Sequence, residues 1–209
     1  MLRILIADDH TIIRKGVIQI LHNQYPEVII GEAFDSDSLL LRIAEEPWDV
    51  VISDLNMPGT NYFDVLKQIK KNYPSLPVLV MSMSAENQYA LRVIKAGASG
   101  FLEKVSIHEN LITAIEVVLK GRKFITPSIA EQMADSLNEI PTLEPHSLLS
   151  DREFDVLKML AAGKPISEIA KQLALSPTTV STYRSRILEK MKMKSNAELT
   201  RFALEKNLI

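Results

Sequence analysis

The sequence predicts a doubly wound α/β domain with a five-stranded parallel sheet, followed by a small all-α domain. Three observations lead to this prediction. Over residues 1–121, short apolar runs alternate with amphipathic helical segments, which is typical of β-α units. Residues 122–147 break this rhythm with several prolines and indicate a linker, in which Thr126-Pro127 favours the start of one short helix. Residues 148–209 carry only helical patterns.

The first domain contains five apolar runs, and several are rich in β-branched residues, as buried parallel strands are. The predicted strands are Leu2–Ala7, Val28–Ala33, Trp48–Asp54, Leu76–Met81 and Ser99–Glu103. Each strand is followed by a segment with apolar residues at helical spacing. These predicted helices are Thr11–His22, Ser36–Glu45, Tyr62–Tyr73, Ala85–Ala96 and Ile107–Lys120. Five such units place helices on both faces of the sheet.

The last domain has strong helix-start signals. Ser150 and Ser195 each open a capping box, in which a serine is followed three residues later by a glutamate. Between them, the short helix Ile166–Ala174 and the helix Pro177–Met191 are separated by a tight break. Two helices joined in this way predict a helix-turn-helix architecture.

Composition limits the class of protein. The chain has 209 residues, 46% of them hydrophobic, which is enough for a substantial core. It has no cysteine, and no window approaches the roughly 18 apolar residues of a membrane span, so we expect a cytoplasmic protein without a membrane partner. The net charge of −2 divides into −6 for residues 1–147 and +4 for residues 148–209. Binding to a polyanion is therefore expected in the second part.

Polar residues stand at the ends of four predicted strands. They are Asp8 and Asp9, Asp54, Ser82 and Lys104. The carboxyl ends of parallel strands meet at one sheet edge, so we expect these side chains to converge. Clustered carboxylates stay ionised when a cation joins them, and oxygen ligands suit Mg²⁺.

In such a cluster Asp54 is placed to attack an electrophilic phosphorus while Lys104 and a metal neutralise the oxygens. Ser82 is placed to hydrogen-bond one of those oxygens. Taken singly, Asp54 also fits a helix cap, Lys104 a solvated surface lysine and Ser82 an ordinary strand-end hydroxyl. His10 is expected to pack or stay solvated rather than to act as a base. The sequence has no Gly-rich phosphate loop, which leaves nucleotide chemistry without an obvious site.

These residues resemble the receiver domain of two-component response regulators, a flavodoxin-like fold, over residues 1–121. The motifs that carry the resemblance are Asp8-Asp9, Asp54 with Met57-Pro58-Gly59, Ser82, Ala96-Gly-Ala-Ser-Gly100 and Lys104. The resemblance implies that Asp54 accepts a phosphoryl group from a phosphohistidine of a sensor histidine kinase. It also implies that Mg²⁺ is bound by Asp9, Asp54 and the backbone carbonyl of Asn56, with help from Asp8.

The resemblance assigns further roles. Lys104 pairs with the phosphoryl group, Ser82 moves toward it on activation, and Phe101 is the aromatic switch that follows Ser82 inward. Asn56 and Ser84 stand where the family tunes the lifetime of the phosphate. The sequence departs from the usual pattern in having Ser82 for threonine, Phe101 for tyrosine and Val105 for the proline after the lysine.

The helix Pro177–Met191 carries the second candidate site. Val180, Tyr183, Ile187 and Met191 project to one side and should face the core, while hydroxyls and cations lie on the other side or beyond the helix end. Such groups suit base edges and phosphates. An ordinary solvated helix face is the competing interpretation. The candidate DNA-binding residues are Thr178, Thr179, Ser181, Thr182, Arg184, Ser185, Arg186, Lys190, Lys192 and Lys194.

Residues 148–209 resemble the LuxR-type helix-turn-helix, and a receiver joined to this domain is the NarL/FixJ class of response regulators. The motifs are Leu149-Ser-Asp-Arg-Glu153, Ile169-Ala170, the run from Leu175 to Ile187, and Met193-Lys-Ser-Asn-Ala-Glu198. Ala174 stands at the turn where the family often has glycine. In this class the last helix pairs protomers on DNA, which implies a homodimer and makes Leu199 and Ala203 candidates for the interface.

The leading hypothesis is a transcription regulator, not a turnover enzyme, whose receiver is switched by phosphorylation of Asp54. One alternative is a regulator that binds DNA without phosphorylation. Another is an aspartate-nucleophile phosphatase, but such enzymes usually carry a second aspartate two residues after the nucleophile, where this sequence has Asn56.

Overall fold

A computed structural model describes residues 1–83, 87–138, 145–206 and 208–209 of the chain. They form two compact units, Met1–Leu137 and Asn138–Ile209. The first unit therefore includes residues 122–137, which the sequence analysis placed in the linker. Residues 139–144 of that linker, and the first residues of the predicted helix Ala85–Ala96, lie outside the described part of the chain.

The first unit is built on a five-stranded sheet with the order β2-β1-β3-β4-β5, in which every pairing is parallel. The strands are β1 (Arg3–Ala7), β2 (Ile29–Ala33), β3 (Val50–Asp54), β4 (Val78–Ser82) and β5 (Gly100–Glu103). The helices are α1 (Thr11–Gln24), α2 (Ser36–Glu45), α3 (Tyr62–Asn72), α4 (Asn87–Lys95), α5 (Ile107–Leu119) and α6 (Pro127–Asn138). The predicted doubly wound fold is confirmed.

Burial on both faces explains why the strands are continuous apolar runs rather than alternating ones. All residues of β3 and β4 are buried. On one face, Ile4 and Ile52 join Val17 of α1 and Ile115 of α5 in a single core cluster. Helices α2, α3 and α4 also bury apolar side chains within this unit, for example Leu39 of α2 and Leu66 of α3.

The strand order also determines where a site can form. Strand β1 pairs with both β2 and β3, so the chain continues on opposite sides of the sheet after β1 and after β3. A crevice opens at the carboxyl ends of the strands at such a switch point. Asp8 and Asp9 follow β1 directly, and Asp54 is the last residue of β3.

The segment after α5 lies along the edge strand β5. The Phe124 backbone N–H donates to the Ser99 carbonyl at 2.9 Å, and Phe124 forms an isolated parallel bridge with Gly100. A Cβ at Gly100 would lie 2.9 Å from the Phe124 carbonyl oxygen, so the close approach requires glycine there. Ile129 of α6 is also buried. These contacts explain why residues 122–137 belong to the first unit.

The second unit is helical: α7 (Asp151–Ala161), α8 (Ile166–Gln172), α9 (Pro177–Lys190) and α10 (Asn196–Glu205), preceded by a 3₁₀ turn over Pro145–Leu148. Ser150 and Glu153 make the predicted capping box at the start of α7. Phe154, Val180 and Leu199 are fully buried in its core. Ala203 is fully buried as well, so Leu199 and Ala203 belong to the core and not to an exposed dimer surface. Within the described ranges, every helix is too short or too polar to cross a bilayer.

Candidate functional site

A buried ion cluster occupies the carboxyl edge of β1 and β3. Asp54 is only 2% exposed, and Asp8 is fully buried beside it. The Lys104 ammonium, which follows β5 directly, lies 2.7 Å from Asp8 Oδ2 and 2.7 Å from Asp54 Oδ2. The structure therefore brings together the acid, the neighbouring acid and the cation that the sequence placed at three separate strand ends.

The electrostatics of Asp54 reflect two opposing effects. Burial raises the pKa of the Asp54 carboxyl above its ordinary value, and the nearby Asp8 carboxylate adds to this. The hydrogen bond and positive charge of Lys104 act in the other direction without cancelling the burial effect. The Asn56 backbone N–H donates to the other Asp54 oxygen, Oδ1, at 3.3 Å. Any further positive charge brought into the pocket would therefore stabilise the ionised form of the Asp54 carboxyl.

Asp9 and His10 form the open side of the pocket. One ligand atom from each of Asp8, Asp9, His10 and Asp54 lies within 4.8 Å of the others. The three carboxylates form an oxygen-rich donor set that fits Mg²⁺, and the exposure of Asp9 leaves room for the waters this ion retains. His10 is 61% exposed, with Nδ1 2.8 Å from Asp9 Oδ1 and 3.2 Å from Asp8 Oδ1. The histidine is solvated at the rim.

The two switch candidates are both buried. Ser82, at the end of β4, is 1% exposed and pairs in register with Glu103 of β5. Phe101 is 2% exposed, so its ring already lies inside the unit. Asn56 is exposed at the pocket. Ser84 lies outside the described residues.

The sequence analysis missed Arg14, although it contacts the pocket directly. Arg14 Nη1 donates to the backbone carbonyl of Asp8 at 2.7 Å, and Nε donates to Glu32 Oε2 at 2.6 Å. The residue is only 6% exposed. The available signal was its spacing, because Arg14 stands three and seven residues before Val17 and Leu21 on the buried stripe of α1.

The second candidate site is the exposed face of α9. Ser176 caps this helix through the Thr179 N–H, Pro177 occupies its first turn, and Val180 and Ile187 are buried beneath it. Most of the predicted DNA-binding side chains are exposed: Thr178, Ser181, Thr182, Ser185, Arg186, Lys190, Lys192 and Lys194. Thr179 and Arg184 are half-buried.

Two hydroxyls of this face donate to backbone carbonyls of their own helix. Thr182 Oγ1 donates to the Thr178 carbonyl at 3.0 Å, and Ser185 Oγ donates to the Ser181 carbonyl at 3.1 Å. Each hydroxyl oxygen keeps its lone pairs for an outside donor. The surface therefore presents acceptors together with the Arg186 guanidinium.

Two predicted DNA-binding cations have partners inside the unit. Lys190 Nζ donates to Glu153 Oε2 on α7 at 2.6 Å. Arg184 Nε donates to Asn196 Oδ1 at the start of α10 at 2.7 Å. Both bonds connect α9 to a neighbouring helix, so the structure gives these side chains a positioning role within the domain.

The turn between α8 and α9 contains backbone strain. Ala174 has a φ of 52°, the left-handed conformation that disfavours side chains other than glycine. The Leu175 N–H donates to the Ala170 carbonyl at 2.8 Å, which closes the end of α8. The alanine noted in the sequence thus adopts the conformation that glycine favours.

Two protein-family models match the chain. The model of the response regulator receiver domain matches residues 4–116, and the model of the luxR family of bacterial regulatory proteins matches residues 147–203. Response regulator UvrY of Escherichia coli K12 is 32% identical over 209 residues, covering 100% of this chain and 96% of that protein. Response regulator GacA of Pseudomonas viridiflava is 31% identical over 210 residues, covering 100% and 98%.

Two solved structures of a response regulator are similar to this chain over almost its whole length. The structure of RcsB from Salmonella enterica serovar Typhimurium, bound to promoter rprA in the presence of the phosphomimetic BeF3-, has a TM-score of 0.68 and 27% identity, covering 97% of this chain and 98% of that one. A structure of two RcsB dimers bound to two parallel DNAs has a TM-score of 0.59 and 28% identity, covering 96% and 97%.

Proposed function

This chain belongs to the response regulators that join a receiver domain to a LuxR-type DNA-binding domain, and we propose that phosphorylation of Asp54 controls its binding to DNA. It is a DNA-binding transcription regulator, and by family it is not a classical enzyme. The observation that carries the proposal is the buried contact between Asp54 and Lys104 at 2.7 Å, beside Asp8.

In the proposed reaction, an Asp54 carboxylate oxygen attacks the phosphorus of a phosphohistidine on a sensor histidine kinase. The P–O bond forms as the P–N bond breaks, and the imidazole leaves with the electron pair and takes a proton. Lys104, already beside Asp54, pairs with an oxygen of the transferred group. Asp9, Asp54, the Asn56 carbonyl and Asp8 would hold Mg²⁺. This ion supplies positive charge that offsets the charge of the phosphoryl oxygens.

The switch is proposed to run through β4 and β5. Ser82, at the end of β4, bonds to the new phosphoryl group. This bond holds the buried Phe101 ring in its inward conformation. Asn56 and Ser84 tune how long the phosphate survives, and the receiver removes its own phosphate through hydrolysis at Asp54. The resulting change in the receiver shifts a two-state equilibrium that governs the second domain.

For the output, α9 is proposed to enter the major groove. Exposed hydroxyls and Arg186 on this helix suit base edges, whereas Lys192 and Lys194 beyond its end suit phosphates. Thr178, Thr179, Ser181, Thr182 and Ser185 supply the remaining polar contacts, with Arg184 and Lys190 at the edge. The RcsB relative is described as dimers on DNA, and we propose a homodimer for this chain. We place it in the cytoplasm, where bacterial DNA resides.

The test is phosphotransfer from a small acyl phosphate with Mg²⁺, followed by intact mass measurement. Wild-type protein should gain one phosphoryl group, and Asp54→Asn should gain none. Asp64→Asn is the matched control, because it makes the same substitution at an exposed aspartate of α3 and should be phosphorylated normally. DNA binding without any adduct would favour a phosphorylation-independent regulator. Continuous release of phosphate from many small esters would favour a phosphatase.

A further inference from the structure

Arg14 is a buried cation that the reaction described above does not use. Its side chain is 7% exposed, in the first half of α1. Arginine is almost never buried unless its donors are paired, because removal of the guanidinium from water is costly. The partners of Arg14 therefore indicate why it is placed there.

Those partners connect three segments around the pocket. Nη1 donates to the Asp8 carbonyl oxygen at 2.7 Å, and Nε donates to the Glu32 carboxylate of β2 at 2.6 Å. The guanidinium carbon lies 4.4 Å from the centroid of the Phe34 ring, a cation–π contact with the segment after β2. A rigid fork of donors makes all these contacts from one side chain, which lysine does not reproduce.

The contact at Asp8 completes the support of its backbone. The Asp8 N–H already donates to the Ala33 carbonyl at 3.2 Å, so both of its backbone polar groups are held. Its side chain contacts Lys104 through Oδ2 and accepts the His10 backbone N–H through Oδ1 at 2.8 Å. Asp9 follows at the next peptide. The position of both acids thus depends on a backbone that Arg14 helps to fix.

We propose that Arg14 is a positioning residue for phosphotransfer: it holds the Asp8-Asp9 turn so that both carboxylates meet Asp54 and Lys104. The inference rests on the proposed function, since it concerns the same Mg²⁺-dependent reaction. Arg14 acts through the Asp8 carbonyl and not through contact with the phosphoryl group. Its loss should weaken Mg²⁺ binding, because residues that orient metal ligands typically change metal affinity by about 10- to 100-fold.

The experiment compares full-length wild type and Arg14→Met by two readouts: Mg²⁺ binding followed by calorimetry without a phosphodonor, and a Mg²⁺ titration of the phosphorylation rate with a small acyl phosphate as donor. Methionine keeps much of the apolar volume and removes every donor. We expect the Mg²⁺ dissociation constant and the Mg²⁺ concentration at half-maximal rate both to rise about tenfold or more. The rate at saturating Mg²⁺ should stay within about threefold, because the metal then draws the carboxylates together. The half-maximal Mg²⁺ concentration of Arg14→Lys should lie between those of wild type and Arg14→Met.

Val17→Ala is the matched control for a merely structural effect. It removes buried volume one turn further along the same stripe of α1 and has no bond to Asp8. It should lower stability and leave the half-maximal Mg²⁺ concentration unchanged. If Arg14→Met is too unstable to study, Glu32→Gln weakens the same arrangement from the exposed side and should give a smaller shift in the same direction.

The outcomes separate the two proposals. An unchanged Mg²⁺ dependence in Arg14→Met, or an equal shift in Val17→Ala, overturns the positioning role while phosphorylation of wild-type Asp54 stands. Absence of any adduct on wild-type Asp54 overturns the proposed function, and the positioning role with it.

Discussion

The pocket at Asp54 and the face of α9 organise charge in opposite ways. In the pocket, Lys104 is buried between two carboxylates, with its ammonium 2.7 Å from an oxygen of each. On α9 the hydroxyls and most of the cations are exposed, and Lys190, with 40% of its side chain exposed, is held by a buried glutamate. The pocket suits one small ligand in one geometry. The helix face suits a long polyanion whose contacts are individually weak.

The difference shows that positive charge alone does not identify a nucleic-acid contact. Lys190 and Lys194 both lie at or beyond the end of α9. Of these two, Lys190 forms a salt bridge to Glu153 of α7. Pairing with a buried carboxylate, as between Lys190 and Glu153, distinguishes a cation that organises its own domain from one that is available to a partner.

The largest effect is expected in the pocket. Lys104→Met removes the cation that two buried carboxylates share, and leaving buried charges unpaired should lower the free energy of unfolding by about 3 kcal/mol. Chemical denaturation of the full chain without metal measures this loss. Added Mg²⁺ should recover part of it, since the metal brings the missing positive charge. Lys71→Met, at an exposed position of α3, should change stability by less than about 0.5 kcal/mol. Equal effects of the two substitutions would contradict a preorganised pocket.

The next largest effect concerns Lys190. Lys190→Gln leaves the buried Glu153 carboxylate without its cation and should destabilise α7 and α9 by about 1 kcal/mol, a value reduced by the exposure of the lysine. Amide hydrogen exchange in these helices measures the change.

Lys194→Gln is the matched substitution at an exposed lysine beyond the same helix. It should leave the amide exchange rates unchanged. It should also reduce the slope of log affinity for DNA against log salt concentration by about one, as expected for the loss of one phosphate contact. If Lys190→Gln changed DNA binding alone, the distinction between the two lysines would fail.

The same salt bridge predicts a pH dependence. Burial acts to raise the pKa of Glu153, but hydrogen bonds from Lys190 and Ser150 outweigh it, so the pKa lies below the usual 4.5. The folded state therefore holds this proton less tightly than the unfolded chain does. Stability from Glu153 is fully present above pH 4.5 and is lost as the pH falls through the lower folded-state pKa. Exchange protection of α7, followed downward from pH 6, should fall less steeply in Glu153→Gln than in wild type.

The smallest effect is a gain. Ala174 has a φ of 52°, so Ala174→Gly should relieve left-handed strain and stabilise the second unit by about 0.5 kcal/mol, the strain relief exceeding the greater entropy of unfolded glycine. Ala162→Gly is the control, because Ala162 is also exposed at a helix end but has a φ of −72°. That substitution should be destabilising. Thermal unfolding of the two variants should move in opposite directions.

Much of the fold and of the pocket was predictable from local sequence. Asp54 follows an apolar strand directly, and parallel strands bring their carboxyl ends together, so its meeting with Asp8 and Lys104 follows from strand order. The capping box of Ser150 and Glu153 was predictable because its hydrogen bonds join residues only three positions apart.

The contacts that escaped prediction join residues distant in sequence. Arg14 meets Glu32 only because β2 pairs with β1, and Lys190 meets Glu153 across 37 positions through the packing of α9 on α7. Neither periodicity nor composition shows which cation has such a partner. The packing of Phe124 on β5 likewise depends on the edge position of that strand, so the compact unit extends beyond the α/β repeat.

Phosphorylation in the pocket is proposed to control DNA binding by the face of α9. The most direct test measures the affinity of the full chain for a duplex selected with the phosphorylated protein, at one fixed salt concentration. Affinities are compared with and without the acyl phosphate and Mg²⁺, for wild type and Asp54→Asn. Phosphorylation should tighten DNA binding of wild type about tenfold and leave that of Asp54→Asn unchanged. Equal affinities of phosphorylated and unphosphorylated wild type would contradict it.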